Sequence, residues 1–533
     1  MSTVIVIGSG PAAAGATMAL EPTPHEITVL DIGTTLEEEK LRTLEMLRTQ
    51  SPEEWQPDNL PTNFGAPSSG MQRGLPEKRS FGSDYPYRDS GQFMGIHVDS
   101  EVNQKLVSGA YGGFSTVWGA QFMPFSDSVL REWPVPREGL VEGYKRIFER
   151  VPYAAVADDL RSQLPLYAEP LASFHVSDRA AAILRRYYEH RAQVRRRGIV
   201  LGHARTAMDQ MRCTQCGLCQ SGCPYSLIYS SGHTFDELRL RRRVNFRSGW
   251  KVHSVGEDEA EAYADAENVR TKERRRFRGD AVIVACGSFK STQIIASSLK
   301  KYDGELRMKE SRQFIFPMIS IRAVPDPRER LQTTLGQLFL CEDESQEGAD
   351  ASALQIYTYD PSFVDALPRP LNHAALRKPR AELLRRLSVG IGYLPSHLSA
   401  EMAVTLGPPT RASELGSISI RECPSIVQSQ RVRRFLRRMM KVAPLLDLWP
   451  LTPMMMVAAA GKSYHCGGTL PHVERPREWW QTDSLGRVPN WRHIYVVDGA
   501  VFPSIGSTTF TATVMANAYR IGAEVGTVLR QSQ

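Results

Sequence analysis

Four cysteines stand close together at Cys213, Cys216, Cys219 and Cys223, with Pro224 directly after the last. The spacing C-x2-C-x2-C-x3-C-P is that of bacterial ferredoxin runs, in which short spacers let successive thiolates take neighbouring corners of an iron–sulfur cluster. Gly217 and Gly222 let the backbone turn and aim N–H groups at sulfur. Zinc is the main alternative, but zinc sites usually draw on two separated pairs. In two-cluster ferredoxins the fourth cysteine of such a run serves the other cluster, and no second run exists here. Cys223 therefore closes a 4Fe–4S site itself, or Cys423, followed by Pro424, closes it from a distance. Three ligands alone would suit 3Fe–4S; 4Fe–4S is the expected form.

A second constellation opens the chain. Val4 to Ile7 is an apolar, β-branched run, as a buried parallel strand requires. Gly8-Ser9-Gly10-Pro11-Ala12-Ala13 follows, then an alanine-rich helical stretch. This is the dinucleotide fingerprint in its setting of strand, turn and helix. Gly8 permits the tight turn, Gly10 lets a pyrophosphate approach the backbone, and Ala13 is small enough for close helix–strand packing. The helix N-terminus offers free N–H groups to phosphate. A second strand, Glu26 to Leu30, ends at Asp31, placed to accept hydrogen bonds from a ribose diol. The fingerprint alone does not separate NAD from FAD.

These groups must be held by a chain of 533 residues, long enough for two domains. The hydrophobic fraction of 42% and charged fraction of 23% are those of an ordinary globular protein. A net charge of +7 is too small at this length to indicate nucleic acid. The N-terminal apolar run goes straight into a glycine turn, unlike a signal peptide. The longest membrane candidate, Ala443 to Gly461, is broken by Pro444, Asp447, Pro450 and Pro453 and reads as irregular core. A cytoplasmic protein is expected, and in that compartment clustered cysteines suggest metal or redox chemistry rather than disulfides.

Distant segments settle the nucleotide. The first is Ser108-Gly109-Ala110-Tyr111-Gly112-Gly113-Phe114-Ser115-Thr116-Val117-Trp118-Gly119. The second runs from Tyr464-His465-Cys466-Gly467-Gly468 through Val497-Asp498-Gly499 to Phe510-Thr511-Ala512-Thr513. With Asp280 to Gly287 as a last Rossmann strand and its glycine turn, this ordered set resembles the glucose–methanol–choline (GMC) family of FAD oxidoreductases. The resemblance covers the FAD half at both ends and is poor across 301–460, which would shape the substrate pocket. It implies FAD as cofactor. Gly112, Gly113 and Ser115 would lie along the flavin and pyrophosphate, with Gly287 in the turn after the last strand. Asp498 and Gly499 would sit by the pyrophosphate and ribityl chain, and a helix from about Thr511 would point at the flavin. His465 would be the catalytic histidine. Thr509 stands where the family usually carries a second His or Asn, so it would position the substrate and His465 would move the proton alone. Some membrane-associated sugar dehydrogenases of this family carry a cluster in this part of the chain.

The expected fold is α/β, a Rossmann-type FAD-binding domain plus an α+β substrate or cap domain. The FAD domain would comprise 1–125, 200–300 and 460–533, with the iron–sulfur segment at 211–226; the cap would comprise 126–199 and 301–459. The expected activity is oxidation of a C–OH group of a sugar, glycoside or polycyclic alcohol by hydride transfer to flavin N5, with electrons leaving through the cluster to an acceptor protein or quinone-linked partner. The alternatives are a ketone or enone reductase and a non-catalytic flavin–cluster electron carrier. Arg431 to Lys441 reads RVRRFLRRMMK, with Val432, Phe435, Leu436, Met439 and Met440 on one helical face. Leu376 to Leu387 is similar in character. Such segments are cap helices with a solvated face, or a peripheral surface for anionic lipid, a phosphate-bearing substrate or an acidic redox partner.

Overall fold

The structure is a computed structural model. It describes residues 2–56, 60, 77–88, 90, 94–170, 175–259, 261–329, 332–360, 373, 376–409 and 415–531. Stretches 61–76 and 532–533 of the expected FAD domain, and 361–372 and 410–414 of the expected cap, lie outside them.

The apolar runs at the two ends of the chain meet in one parallel sheet. Its strand order is Ile494–Val496, Ala281–Val284, Thr3–Ile7, Glu26–Asp31 and Asn245–Ser248. All four pairings are parallel, with Ile5 opposite Thr28 on one side and Val282 on the other. Val4, Ile5, Val6 and Ala281 to Val284 are buried almost completely, as strands covered on both faces must be. On one face the helix Pro11–Leu20 packs along the C-terminal helix Thr511–Gln531. The nucleotide fold is thus closed by the last residues of the chain.

The second unit is an antiparallel sheet running Trp449–Pro450, Gln313–Ile319, Leu387–Tyr393, Ala353–Tyr357, Leu338–Glu342 and Ile199–His203, with Met456–Val457 also paired to Gln313–Ile319. Strand Ile199–His203, expected at the border of the FAD domain, is hydrogen-bonded into this sheet. The period of two divides its faces. Phe314, Phe316, Met318, Leu340, Leu354 and Ile356 pack against helices Asp178–Glu189 and Ile426–Leu446. Gln313, Gln355, Tyr357, Ile391 and Tyr393 face a large cavity between the two sheets. A third sheet joins Glu305–Glu310, Met402–Gly407 and Ser417–Glu422 to Ile96–Val98 and to Cys466–Gly467, so the segment carrying His465 is tied to both halves.

Helix Ile426–Leu446 buries Val432, Phe435, Leu436 and Met439, but Met440 is 41% exposed. Its arginines are less solvated than the sequence suggests. Arg431 and Arg438 both pair with the fully buried Glu342, and Arg431, Arg434 and Arg438 pair with Glu347. Those acids come from 84 to 96 residues upstream, beyond the reach of local pattern reading. Leu376 to Leu387 contains the helix Arg377–Leu384, whose one buried residue is Leu384. Among the described residues no helix is long and apolar enough to cross a membrane.

Candidate active site

A cavity of about 410 Å³ runs from the Gly8 turn to His465. Its nucleotide end is built by the first two strands. Gly8 has φ +105°, and a Cβ there would lie 2.6 Å from the Ala285 carbonyl oxygen, so only glycine lets the two strands close up. Gly10 caps the helix Pro11–Leu20 with ordinary extended backbone, and a Cβ there would meet nothing within 4 Å. Its α-hydrogens face open cavity, which is the space a pyrophosphate needs. Ala13 is fully buried behind the turn and serves packing. Asp31 lines the cavity, 9% exposed, and accepts the Gly33 N–H at 2.5 Å. Burial raises its carboxyl to about 7, with hydrogen bonds from Ser9 and Gly33 opposing. Hydroxyl donors from a ribose would favour the charged form.

Opposite, Asp498 accepts the Gly287 N–H at 2.9 Å, the Ser291 hydroxyl at 2.5 Å and the Ala500 N–H at 3.0 Å. Gly287, Asp498 and Gly499 all line the cavity, as do Gly113 and Ser115. Two of the expected contacts are different in kind. Gly112 does not line the cavity: at φ +92° its Cβ position lies 2.6 Å from Ser230 Oγ, and its N–H donates to Ser9 Oγ at 2.9 Å. It is a turn glycine that locks the loop onto the fingerprint. The Ser115 hydroxyl donates to the Gly112 carbonyl at 2.6 Å and accepts the Ser231 N–H at 2.9 Å, so it holds the loop as well. The start of helix Thr511–Gln531, with Phe510, Thr511 and Val514, closes the far wall.

His465 sits on a buttressed strap. Its carbonyl accepts the Ser311 N–H at 3.1 Å, and its own N–H donates to Ser463 Oγ at 3.1 Å. Ser463 in turn donates to Glu310, which is paired with the buried Arg312 at 2.9 Å. The imidazole lies between Tyr393, with centroids 4.9 Å apart and planes at 23°, and Phe510, at 5.8 Å and 12°. Nδ1 is buried with no hydrogen-bond partner. Burial depresses the ring to about 4, so it is neutral near pH 7 and can accept a proton.

Thr509 departs from its expected role. Its hydroxyl accepts the Met123 N–H at 2.8 Å and donates to the Met123 carbonyl at 3.0 Å. Its one proton is committed, so here it stitches the segment before the C-terminal helix to the backbone at Met123 rather than donating to a substrate. The polar groups at this end that sequence reading passed over are Gln121, Gln313, Gln355, Tyr357 and Tyr393. Gln313 donates to the Tyr393 hydroxyl at 3.1 Å, the Tyr357 hydroxyl donates to Gln355 at 3.3 Å, and Gln121 Oε1 is buried without a partner. The available signal was a glutamine in each of two otherwise apolar strands.

The cysteine loop forms part of the same wall. Gln220, next to Cys219, lines the cavity, and Trp118 both lines it and packs on the small core holding Cys213 and Cys219. Backbone N–H groups point at sulfur: Gln215 at Cys213 and Leu227 at Cys223, each at 3.4 Å. Burial pushes the Cys216 thiol up to about 11 and the Cys219 thiol to about 12, opposed by the N–H groups of Leu218 and Thr334, and the neighbouring cysteines raise both further. Among the described residues, however, no three His, Cys, Asp or Glu side chains are gathered tightly enough to hold a metal ion. The ready-made single-ion centre that zinc would use is therefore not what the loop presents. Cys423, the alternative remote ligand, has its sulfur 2.8 Å from an Arg307 nitrogen on the third sheet and sits beside Arg421.

Residues 432–518 match the family model described as GMC oxidoreductase. The C-terminal segment thus resembles a GMC oxidoreductase domain. It contains His465, Asp498, Gly499 and Thr509. Over the whole chain the structure is similar to pyridoxine 4-oxidase from Mesorbium loti, at 12% identity and a TM-score of 0.60, covering 98% of this chain and 99% of that one. It is similar also to formate oxidase from Aspergillus oryzae, at 12% identity and a TM-score of 0.60, covering 100% and 99%. At that identity the likeness speaks for the fold alone, a Rossmann-type domain joined to a substrate domain. No curated protein sequence matches the chain.

Proposed function

We propose that the chain is an FAD-dependent dehydrogenase that oxidises a C–OH group to a carbonyl. The observation that carries this is a neutral, buried His465, its Nδ1 unpartnered, on the same cavity as the Gly8–Gly10 turn and Asp31. Asp31 would hold the ribose diol, Gly10 and the N–H groups of the following helix the pyrophosphate, and Asp498 with Gly287 and Gly499 the central part of the cofactor. When bound, FAD supplies the hydride acceptor. His465 takes the hydroxyl proton as the carbon gives up hydride, and its stacking between Tyr393 and Phe510 fixes the ring plane. The amides and phenols of Gln121, Gln313, Gln355, Tyr357 and Tyr393 suit a neutral, hydroxylated substrate; a sugar or glycoside is the first reading and a polycyclic alcohol the second. An anaerobic screen of sugars and alcohols tests this: the true substrate bleaches the flavin without oxygen, and failure of every C–OH donor to do so contradicts it.

The finer part of the reading concerns the fate of the electrons. Cys213, Cys216, Cys219 and Cys223 would hold a 4Fe–4S cluster, which accepts electrons singly. The absence of a single-ion centre does not bear against this, because a cubane gives each thiolate its own iron. The support is the spacing, the N–H groups aimed at sulfur and the shared wall with the cavity. Protein purified anaerobically should contain about four irons per chain if the four-cysteine ligation holds. Cys216→Ser should lose most of them, and stoichiometric zinc without iron would overturn the assignment.

A further inference from the structure

Two lysines line the large cavity at the end that holds His465. Lys462 precedes His465 on the same strap, and Lys78 comes from the segment before Tyr87. Glu77, next to Lys78 in the chain, acts on both Lys462 and Tyr464, so the two lysines share one neighbourhood. The charge of Lys78 is already engaged. Its Nζ donates to the Trp118 carbonyl at 2.7 Å, and Asp360 acts on it from close by. Lys462 is different: it is half-buried on the cavity wall, and its ammonium has no hydrogen-bond or ion-pair partner among the described residues.

Burial lowers the Lys462 ammonium from its ordinary value, with Glu77 opposing and Lys105 adding to the fall. Two lysines against one carboxylate leave a single positive charge there. The cavity's own acids do not meet it. Asp31 and Asp498 belong to the nucleotide end, where Lys290 follows the Gly287 turn and Lys251 acts on Lys290. A cation held on a cavity wall against the cost of burial is stabilised by a ligand that brings one negative charge. A carboxylate supplies that charge and two acceptor oxygens.

We propose that the substrate carries a carboxylate and that Lys462 receives it, so that the alcohol oxidised beside His465 belongs to a hydroxylated acid. The proposal rests on the dehydrogenase reading and narrows its substrate. The neutral, hydroxylated part faces the amides and phenols beside His465, and the carboxylate lies on a neighbouring part of the same molecule, facing the ammonium. Lys462 acts in binding and orientation only. The proton and the hydride move as described for His465 and the flavin.

The test pairs acids with their own methyl esters, which keep every other hydroxyl and lose the charge. Glucuronate, galacturonate and their methyl esters are offered anaerobically to the holoprotein, with glucose 6-phosphate as the phosphate arm. The acids should bleach the flavin at concentrations about tenfold or more below their esters, the worth of one charged hydrogen bond. Lys462→Met should weaken the acids to the level of the esters and leave the esters and the FAD content unchanged. Lys462→Arg should restore the preference. Esters as good as acids, a phosphate better than either, or equal weakening of acid and ester in Lys462→Met would overturn the proposal. So would loss of FAD from Lys462→Met, which would assign the lysine to the cofactor's phosphates. If no donor bleaches the flavin, the dehydrogenase reading falls, and titrating the flavin absorbance with the same acids still decides the lysine. A spectral change with acids alone that Lys462→Met removes upholds the carboxylate site, and no change overturns it.

Discussion

Two glycines of one turn, Gly8 and Gly10, make opposite predictions. Gly8→Ala forces an alanine to φ +105°, at a cost of about 1–3 kcal/mol. It also puts a methyl 2.6 Å from the Ala285 carbonyl, where the central sheet must spread, for about 1–3 kcal/mol more. The total, about 2–6 kcal/mol, is a large part of a typical domain's stability of about 5–15 kcal/mol. Gly10→Ala meets nothing within 4 Å, at φ −69°. Its folding cost is only the N-cap preference for glycine over alanine, about 1 kcal/mol. Its methyl, however, enters the space reserved for the pyrophosphate. Losing one charged hydrogen bond there, about 1.5–3 kcal/mol, weakens FAD roughly tenfold to a hundredfold. The assay is flavin released by acid per chain, together with the melting of flavin-stripped protein. Gly8→Ala should melt early, and Gly10→Ala should melt normally with little flavin. A Gly10→Ala protein with full FAD would refute the placement of the pyrophosphate.

Three further outcomes follow from the same geometry. Glu342→Gln leaves Arg431 and Arg438 under-compensated in a buried network and should destabilise the cap by about 3 kcal/mol, read by chemical denaturation. Thr509→Val keeps the shape but unpairs the Met123 N–H and carbonyl; it should lower stability by about 2–3 kcal/mol, while the folded protein still reduces its flavin with substrate, and a selective loss of reduction would restore Thr509 to catalysis. Because burial sets His465 to about 4, the base form is present above that pH: stopped-flow flavin reduction should be flat from about pH 6 to 8 and fall only as pH drops towards 4, whereas a midpoint near the ordinary histidine value of about 6.5 would mean the ring is not buried in the working enzyme.

The nucleotide half was legible because its signals are local. The strand, glycine turn, helix and Asp31 lie within the first 31 residues, and the order of the GMC-like segments predicted closure by the C-terminal helix. The cap was not legible in the same way. Its sheet alternates glutamine and tyrosine against phenylalanine and leucine, but which face meets the cavity depends on strands far apart in the chain, from Ile199–His203 to Leu387–Tyr393 and beyond. Arg431 and Arg438 read as surface charge because Glu342 and Glu347 are invisible to helical periodicity. The hydrogen bonds of Gly112, Ser115 and Thr509 are spent on the protein itself. A motif fixes a residue's neighbourhood; only packing decides which way it donates.

His465 is proposed as the base beside a bound flavin. The most direct measurement is the anaerobic rate of flavin bleaching in native protein and in His465→Ala, each with a substrate identified from the screen and each with its FAD content measured first. The claim predicts unchanged FAD and a rate lower by a factor on the order of a hundred or more. Equal rates in the two proteins at equal FAD content would contradict it.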